Sequence, residues 1–114
     1  MPETPVYYIP HGGGPCFFME WTPPDTWKEL AEWLRFLPSR LKERPSALLV
    51  LSAHWEEPEF TLLANPSPEL YYDYYDFPPH TYELAWPAPA APALLRRIRQ
   101  LLEAAGIPLA LEHK

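Results

Sequence analysis

Two histidines close similar runs of sequence. Val6 to Ile9 (VYYI) is a β-branched and aromatic run that ends in Pro10, His11 and the glycines Gly12, Gly13 and Gly14. Ala47 to Leu51 (ALLVL) is an unbroken apolar run that ends in Ser52, Ala53 and His54. A run this short, bounded by Pro45, suits a strand buried on both faces, as in a parallel sheet. Open α/β sheets gather ligands at the carboxyl ends of their strands. As parallel neighbours, the two strands would bring His11 and His54 to one rim. Two convergent neutral imidazoles form half or more of a typical metal site. A lone histidine after a strand is more often a hydrogen-bonded structural residue, so the metal reading rests on the pattern occurring twice. Gly12, Gly13 and Gly14 expose backbone donors and are candidates to face a ligand oxygen. Glu56 is a candidate acceptor holding the His54 ring from behind.

The elements that must position these residues can be read in order. Met1 to Pro5 is a lead-in, and Val6 to Ile9 is the first expected strand. Cys16 to Met19 (CFFM) is expected to fold down over the rim. Asp25 reads as an N-cap for a helix over Lys28 to Leu41, whose Leu30, Trp33, Leu34, Leu37 and Leu41 form one apolar stripe. Pro38 predicts a break near Leu37. Strand, helix, strand implies a right-handed crossover and two parallel strands. Phe60 to Ala64 reads as a third strand. Tyr71 to Phe77 (YYDYYDF) is aromatic and acidic with no helical period. Its rings suit either the wall of an apolar pocket or ordinary packing. Thr81 to Trp86 alternates as a short edge strand would. Pro92 opens a helix over Ala93 to Ala105 with the stripe Leu94, Leu95, Ile98, Leu101 and Leu102, and Gly106 suits its C′ position. Ile107 to Leu111 is the last strand. The fold class expected is α/β, a mixed, partly parallel sheet flanked by helices. Its unfinished edge predicts self-association, or a chain that supplies a missing C-terminal part.

Composition narrows the class. The 114 residues carry a net charge of −6, and the one basic cluster, Arg96, Arg97 and Arg99, falls on a single helix as its solvated face. Nucleic acid is therefore excluded as an expected partner. Cys16 is the one cysteine, which rules out an intrachain disulfide and fits a reducing compartment. The start MPETPVYY does not read as a signal peptide, and no apolar run reaches membrane-spanning length. No membrane partner and a cytoplasmic location are expected.

The HGGG at His11 to Gly14 could be the oxyanion loop of an esterase. That reading needs a G-x-S-x-G elbow downstream, and Gly106 is the only later glycine. A different match uses several segments together: YIPHGGGP at Tyr8 to Pro15, LLVLSAHWE at Leu48 to Glu56, YYDFPPHTYELAWPAPAAP at Tyr74 to Pro92 and AAGIPL at Ala104 to Leu109. In these the chain resembles the class III (LigB-type) extradiol ring-cleavage dioxygenases of the DOPA-dioxygenase-like branch. The resemblance spans nearly all of this chain but less than half of the family's length. Residues 1–114 would thus be the N-terminal portion of a single extradiol-dioxygenase-like domain. The resemblance implies an oxidoreductase holding one metal, Fe(II) or in some members zinc, which opens a catechol-type aromatic ring with O2. It makes His11 and His54 two of the metal ligands. The remaining ligand and the acid–base histidine would lie beyond Lys114, leaving no catalytic residue within this chain and the isolated chain inactive. His113 does not match the family's later motif. His80 occupies a variable position and is expected to be structural or a rim contact. A truncated non-catalytic metal-binding or interaction module, or one half of a split enzyme, is the alternative.

Overall fold

The computed structural model describes residues 4–114, so the first three residues of the lead-in lie outside it. The described chain is a small α/β structure with two α-helices and one two-stranded parallel sheet. It divides into two compact units. One runs through Arg44 and takes in Tyr72–Leu84; the other combines Pro45–Tyr71 with Ala85–Lys114.

The first unit contains α1, Lys28–Phe36. Its half-buried residues include Leu30, Trp33 and Leu34, and Leu37 and Leu41 continue the stripe. The helix then tightens into a 3₁₀ turn over Leu37–Arg40. Pro38 has no N–H to give and its ring crowds the preceding turn, so the α-helix stops where the proline enters. Asp25 acts through its backbone rather than as a side-chain cap: its carbonyl accepts from the Lys28 N–H at 3.1 Å, and Trp27 holds the N-cap position without a side-chain hydrogen bond. Two further 3₁₀ turns, Cys16–Phe18 and Pro79–Tyr82, contribute the two most deeply buried side chains, Cys16 and Thr81.

The second unit holds the sheet. Strand β1, Phe60–Leu63, pairs in parallel with β2, Leu109–Glu112, with Phe60 opposite Leu109 and Leu63 opposite Glu112. Parallel neighbours need a crossover, and α2, Pro92–Ala104, provides it. Pro92 occupies the first turn, where its missing N–H costs nothing. The helix ends in a Schellman motif. The Gly106 N–H donates to the Glu103 carbonyl at 3.0 Å, and the Ile107 N–H to the Leu102 carbonyl at 2.9 Å. Gly106 takes φ +70 there, which glycine adopts without a Cβ penalty. Leu94, Leu95, Ile98 and Leu102 are half-buried, whereas Leu101, expected in the same stripe, is 52% exposed.

Three expected strands are absent among the described residues. Val6 to Ile9 and Ala47 to Leu51 form no β-ladder, so the expected crossover between them does not form either. Leu48, Leu49, Val50 and Leu51 are exposed, Leu51 at 84%. A strand buried on both faces needs a pairing neighbour on each side and a layer above and below. The apolar run here has none of these among the described residues. The expected edge strand over Thr81 to Trp86 is replaced at its start by the Pro79–Tyr82 turn. There Thr81 bonds twice to the Pro78 carbonyl, through its N–H at 3.0 Å and its hydroxyl at 2.7 Å. Local side-chain bonding of this kind competes with a ladder. No helix among the described residues is long and apolar enough to cross a membrane.

Candidate functional site around His11

His11 stands at the mouth of the glycine loop, and its ring Nδ1 lies 2.8 Å from the Gly12 carbonyl oxygen. A carbonyl oxygen only accepts, so this contact is made by an Nδ1–H, which in the neutral ring leaves the lone pair on Nε2. This is the tautomer of a histidine that binds metal through Nε2 while its other nitrogen is held from behind. The donor chemistry of His11 therefore fits one ligand position of a metal centre.

The three glycines are not equivalent. Gly12 is buried, and a Cβ there would fall 2.2 Å from Cys16 Sγ and 3.3 Å from two ring carbons of Trp27. Gly14 takes φ +48, and a Cβ there would fall 2.7 Å from the Phe77 ring. Gly13 is exposed with open space at its Cβ position. Glycine is thus demanded at 12 and 14 by close approach, while position 13 is the one with room beside it for a ligand.

Both clamps are themselves braced. The Cys16 carbonyl accepts from Trp21 Nε1 at 2.7 Å, and Trp21 meets Trp27 edge-on at 5.8 Å between ring centres. Burial pushes the Cys16 thiol above its ordinary pKa, partly offset by the backbone N–H groups of Cys16, Phe17 and Gly13. The Trp27 indole N–H is buried without an acceptor among the described residues. On the other side, Phe77 stands edge-on to Tyr74 at 5.3 Å. The Tyr74 hydroxyl donates to the Thr81 carbonyl at 2.5 Å, and the Tyr72 hydroxyl donates to the Leu84 carbonyl. Rings of the Tyr71 to Phe77 stretch therefore pack on one another, while Tyr71 and Tyr75 stay exposed. His80 donates from Nε2 to the Phe18 carbonyl at 2.6 Å and so ties together two 3₁₀ turns. That is the structural role expected of it.

His54 belongs to the second unit. It is exposed, and its backbone N–H donates to the Ser52 hydroxyl at 3.1 Å in a local turn. Glu56 beside it is exposed, and Glu57 accepts from the Trp55 indole N–H at 3.0 Å. Among the described residues no group of three His, Cys, Asp or Glu side chains gathers in one place. Cys16, Trp27 and Phe77 are the site residues that sequence reasoning missed. The signal that could have found them is the glycine run, because adjacent glycines in a folded loop mark close approach by something large.

Curated relatives match much of the chain. The chain is 32% identical over 109 residues to "Dioxygenase tasH" of Hapsidospora irregularis, covering 91% of this chain and 33% of that protein. Against "4,5-DOPA dioxygenase extradiol" of Beta vulgaris it is 32% identical over 101 residues, covering 89% of this chain and 36% of that one. Against the protein so named from Escherichia coli (strain K12) it is 38% identical over 71 residues, 62% of this chain and 26% of that one. These similarities, each over part of the relative's length, support the LigB/DOPA-dioxygenase-like extradiol family for this chain. It spans between about a quarter and about a third of the length of these relatives. No family model matches it, and no solved structure gives a significant match.

Proposed function

We propose that this chain contributes His11 and His54 as two ligands of a mononuclear Fe(II) centre, with zinc as the alternative metal. In this reading it is part of an extradiol dioxygenase that opens a catechol-type ring with O2. The reading is carried by the relatives named as extradiol dioxygenases and supported by the Nδ1–H form of His11. When bound, such a metal supplies the positive charge that draws a catecholate and dioxygen together. His11 presents Nε2, its orientation held through Nδ1. Gly13 offers the open stretch of loop beside it. Ring opening also needs a third ligand and an acid–base group beside these two histidines.

Calorimetric titration of the chain with Fe(II) under anaerobic conditions tests the shared site. Binding is expected, and His11→Ala and His54→Ala are each expected to remove it. Binding that survives either substitution would overturn the two-histidine reading. With a catechol, Fe(II) and O2, the chain alone is expected to fall far below an ordinary enzymatic rate of about 1 per second. The exposed run Leu48 to Leu51 favours a second reading, in which the chain is one half of a split enzyme or an interaction module. The mass of the protein in its native source separates that from a piece of a longer enzyme.

A further inference from the structure

The contact between Gly12 and Cys16 reaches beyond packing, because Gly12 also supplies the carbonyl that holds the His11 ring. Three observations meet at this point. First, the Gly12 backbone presses so closely on the Cys16 thiol that the smallest side chain would lie 2.2 Å from Sγ. Second, the thiol is immobilised. Cys16 is 1% exposed and opens a 3₁₀ turn closed by the Phe18 N–H donating to the Pro15 carbonyl at 3.0 Å. Its carbonyl is held by Trp21, whose ring braces the same Trp27 that covers Gly12. Third, a hydrogen bond that selects the Nδ1–H form of His11 ends on the Gly12 oxygen, 2.8 Å from Nδ1.

We infer that Cys16 and Trp27 are positioning residues for His11: by fixing the Gly12 peptide they hold the imidazole with its proton on Nδ1 and its lone pair on Nε2. A neutral imidazole exchanges freely between its two tautomers unless a partner selects one. Here the partner is the carbonyl of the adjacent residue, and its direction is set by how far Gly12 can approach the thiol. Moving the thiol or adding bulk at position 12 turns the carbonyl and releases the ring. The consequence for metal binding rests on the proposal that His11 is a ligand; the tautomer claim does not.

Reciprocal size changes test it on the full chain, treated with chelator and labelled with nitrogen-15 at histidine. Long-range proton–nitrogen spectra, taken above the imidazole titration range, report which ring nitrogen carries the proton. The unsubstituted chain is expected to show His11 as the Nδ1–H form. Gly12→Ala and Cys16→Ala are each expected to lose that preference, the first by collision and the second by removing the support. The double variant is expected to regain it, because the methyl at 12 fills the space the sulfur left and its nearest remaining contacts are the 3.3 Å ones to Trp27. Single variants with the original His11 signals, or a double variant no better than the worse single one, would overturn the inference. If Gly12→Ala does not fold, Cys16→Ala and the double variant decide on the same terms. A zinc titration of the same set reads the consequence. Losses of about 10- to 100-fold in the single variants, restored in the double, are expected for loss of a partner behind a ligand. A tautomer that moves without any change in zinc affinity would leave the positioning role standing and remove His11 from the metal site.

Discussion

The His11 loop and the His54 segment start from similar sequence and end in opposite surroundings. Each is a short apolar or aromatic run that delivers a histidine. The His11 loop is gripped within its own unit, with Gly12 against Cys16 and Trp27 and Gly14 against Phe77. The His54 segment is held by a turn onto Ser52, and the four residues Leu48 to Leu51 ahead of it are exposed. The difference lies in what each segment needs. The loop needs partners close in sequence, plus one aromatic turn returning to it. The apolar run needs strands and covering layers on both sides, and the one ladder among the described residues is that of β1 and β2.

The sharpest way to break this contrast is Gly14→Ala. A side chain at φ +48 costs about 1–2 kcal/mol in backbone strain. The collision with Phe77 adds about 1–3 kcal/mol of overpacking. A loss of about 2–5 kcal/mol is expected in urea unfolding followed by tryptophan fluorescence, which three tryptophans of the first unit, Trp21, Trp27 and Trp33, report. A loss under about 1 kcal/mol would mean the loop is not gripped. Gly106→Ala is the matched comparison in the second unit. Its φ is +70, but nothing lies within 4 Å of the added Cβ. The backbone cost of about 1–2 kcal/mol should stand alone there, and the excess at Gly14 measures the Phe77 clamp.

These contrasts also mark what could be read in the sequence. The helices were legible because an amphipathic stripe, Pro38, Pro92 and Gly106 are local signals, and local physics decides them. Strands β1 and β2 were legible from the runs Phe60 to Ala64 and Ile107 to Leu111, while their parallel pairing across the second helix was not. Val6 to Ile9 and Ala47 to Leu51 read as strands by composition. A strand also needs a partner to complete its hydrogen bonds, and composition does not say whether one is present. At the candidate site, His11 was legible from its motif. The grip of Cys16 and Phe77 was not, since Phe77 lies 63 positions further along and no periodicity links it to Gly14.

Cys16 provides a smaller effect that sharpens the picture of a closed first unit. Burial raises its thiol pKa. The folded state therefore keeps its proton where the unfolded chain has begun to lose it. Between those two values the folded state binds more protons than the unfolded state, so stability falls as pH rises through the window and is unaffected below it. The unfolding midpoint is expected to drop on the alkaline side, and Cys16→Ala should remove that part of the slope. Iodoacetamide should label the native thiol far more slowly than the urea-unfolded one. Equal labelling rates would show that the loop opens freely.

The smallest expected effect is the most informative about the second unit. Leu51 is 84% exposed, so replacing it by serine removes almost no buried apolar surface. Surface substitutions of this kind stay within about 0.5 kcal/mol, and Leu51→Ser is expected to do the same in a dilute sample. A fully buried leucine would instead contribute roughly 1.5–3 kcal/mol. The measurement should therefore be repeated over a wide range of protein concentration, with light scattering alongside. If the substitution costs nothing at any concentration and the chain scatters as a monomer, the apolar run ahead of His54 is solvated. If its cost grows with concentration while the unsubstituted chain associates, the run is covered by a second copy. The contrast between the two histidine segments would then hold for the single chain and vanish in the assembly. A cost above about 1 kcal/mol in a monomer would mean that Leu51 is packed within its own chain, and the exposed state of the His54 segment would be wrong.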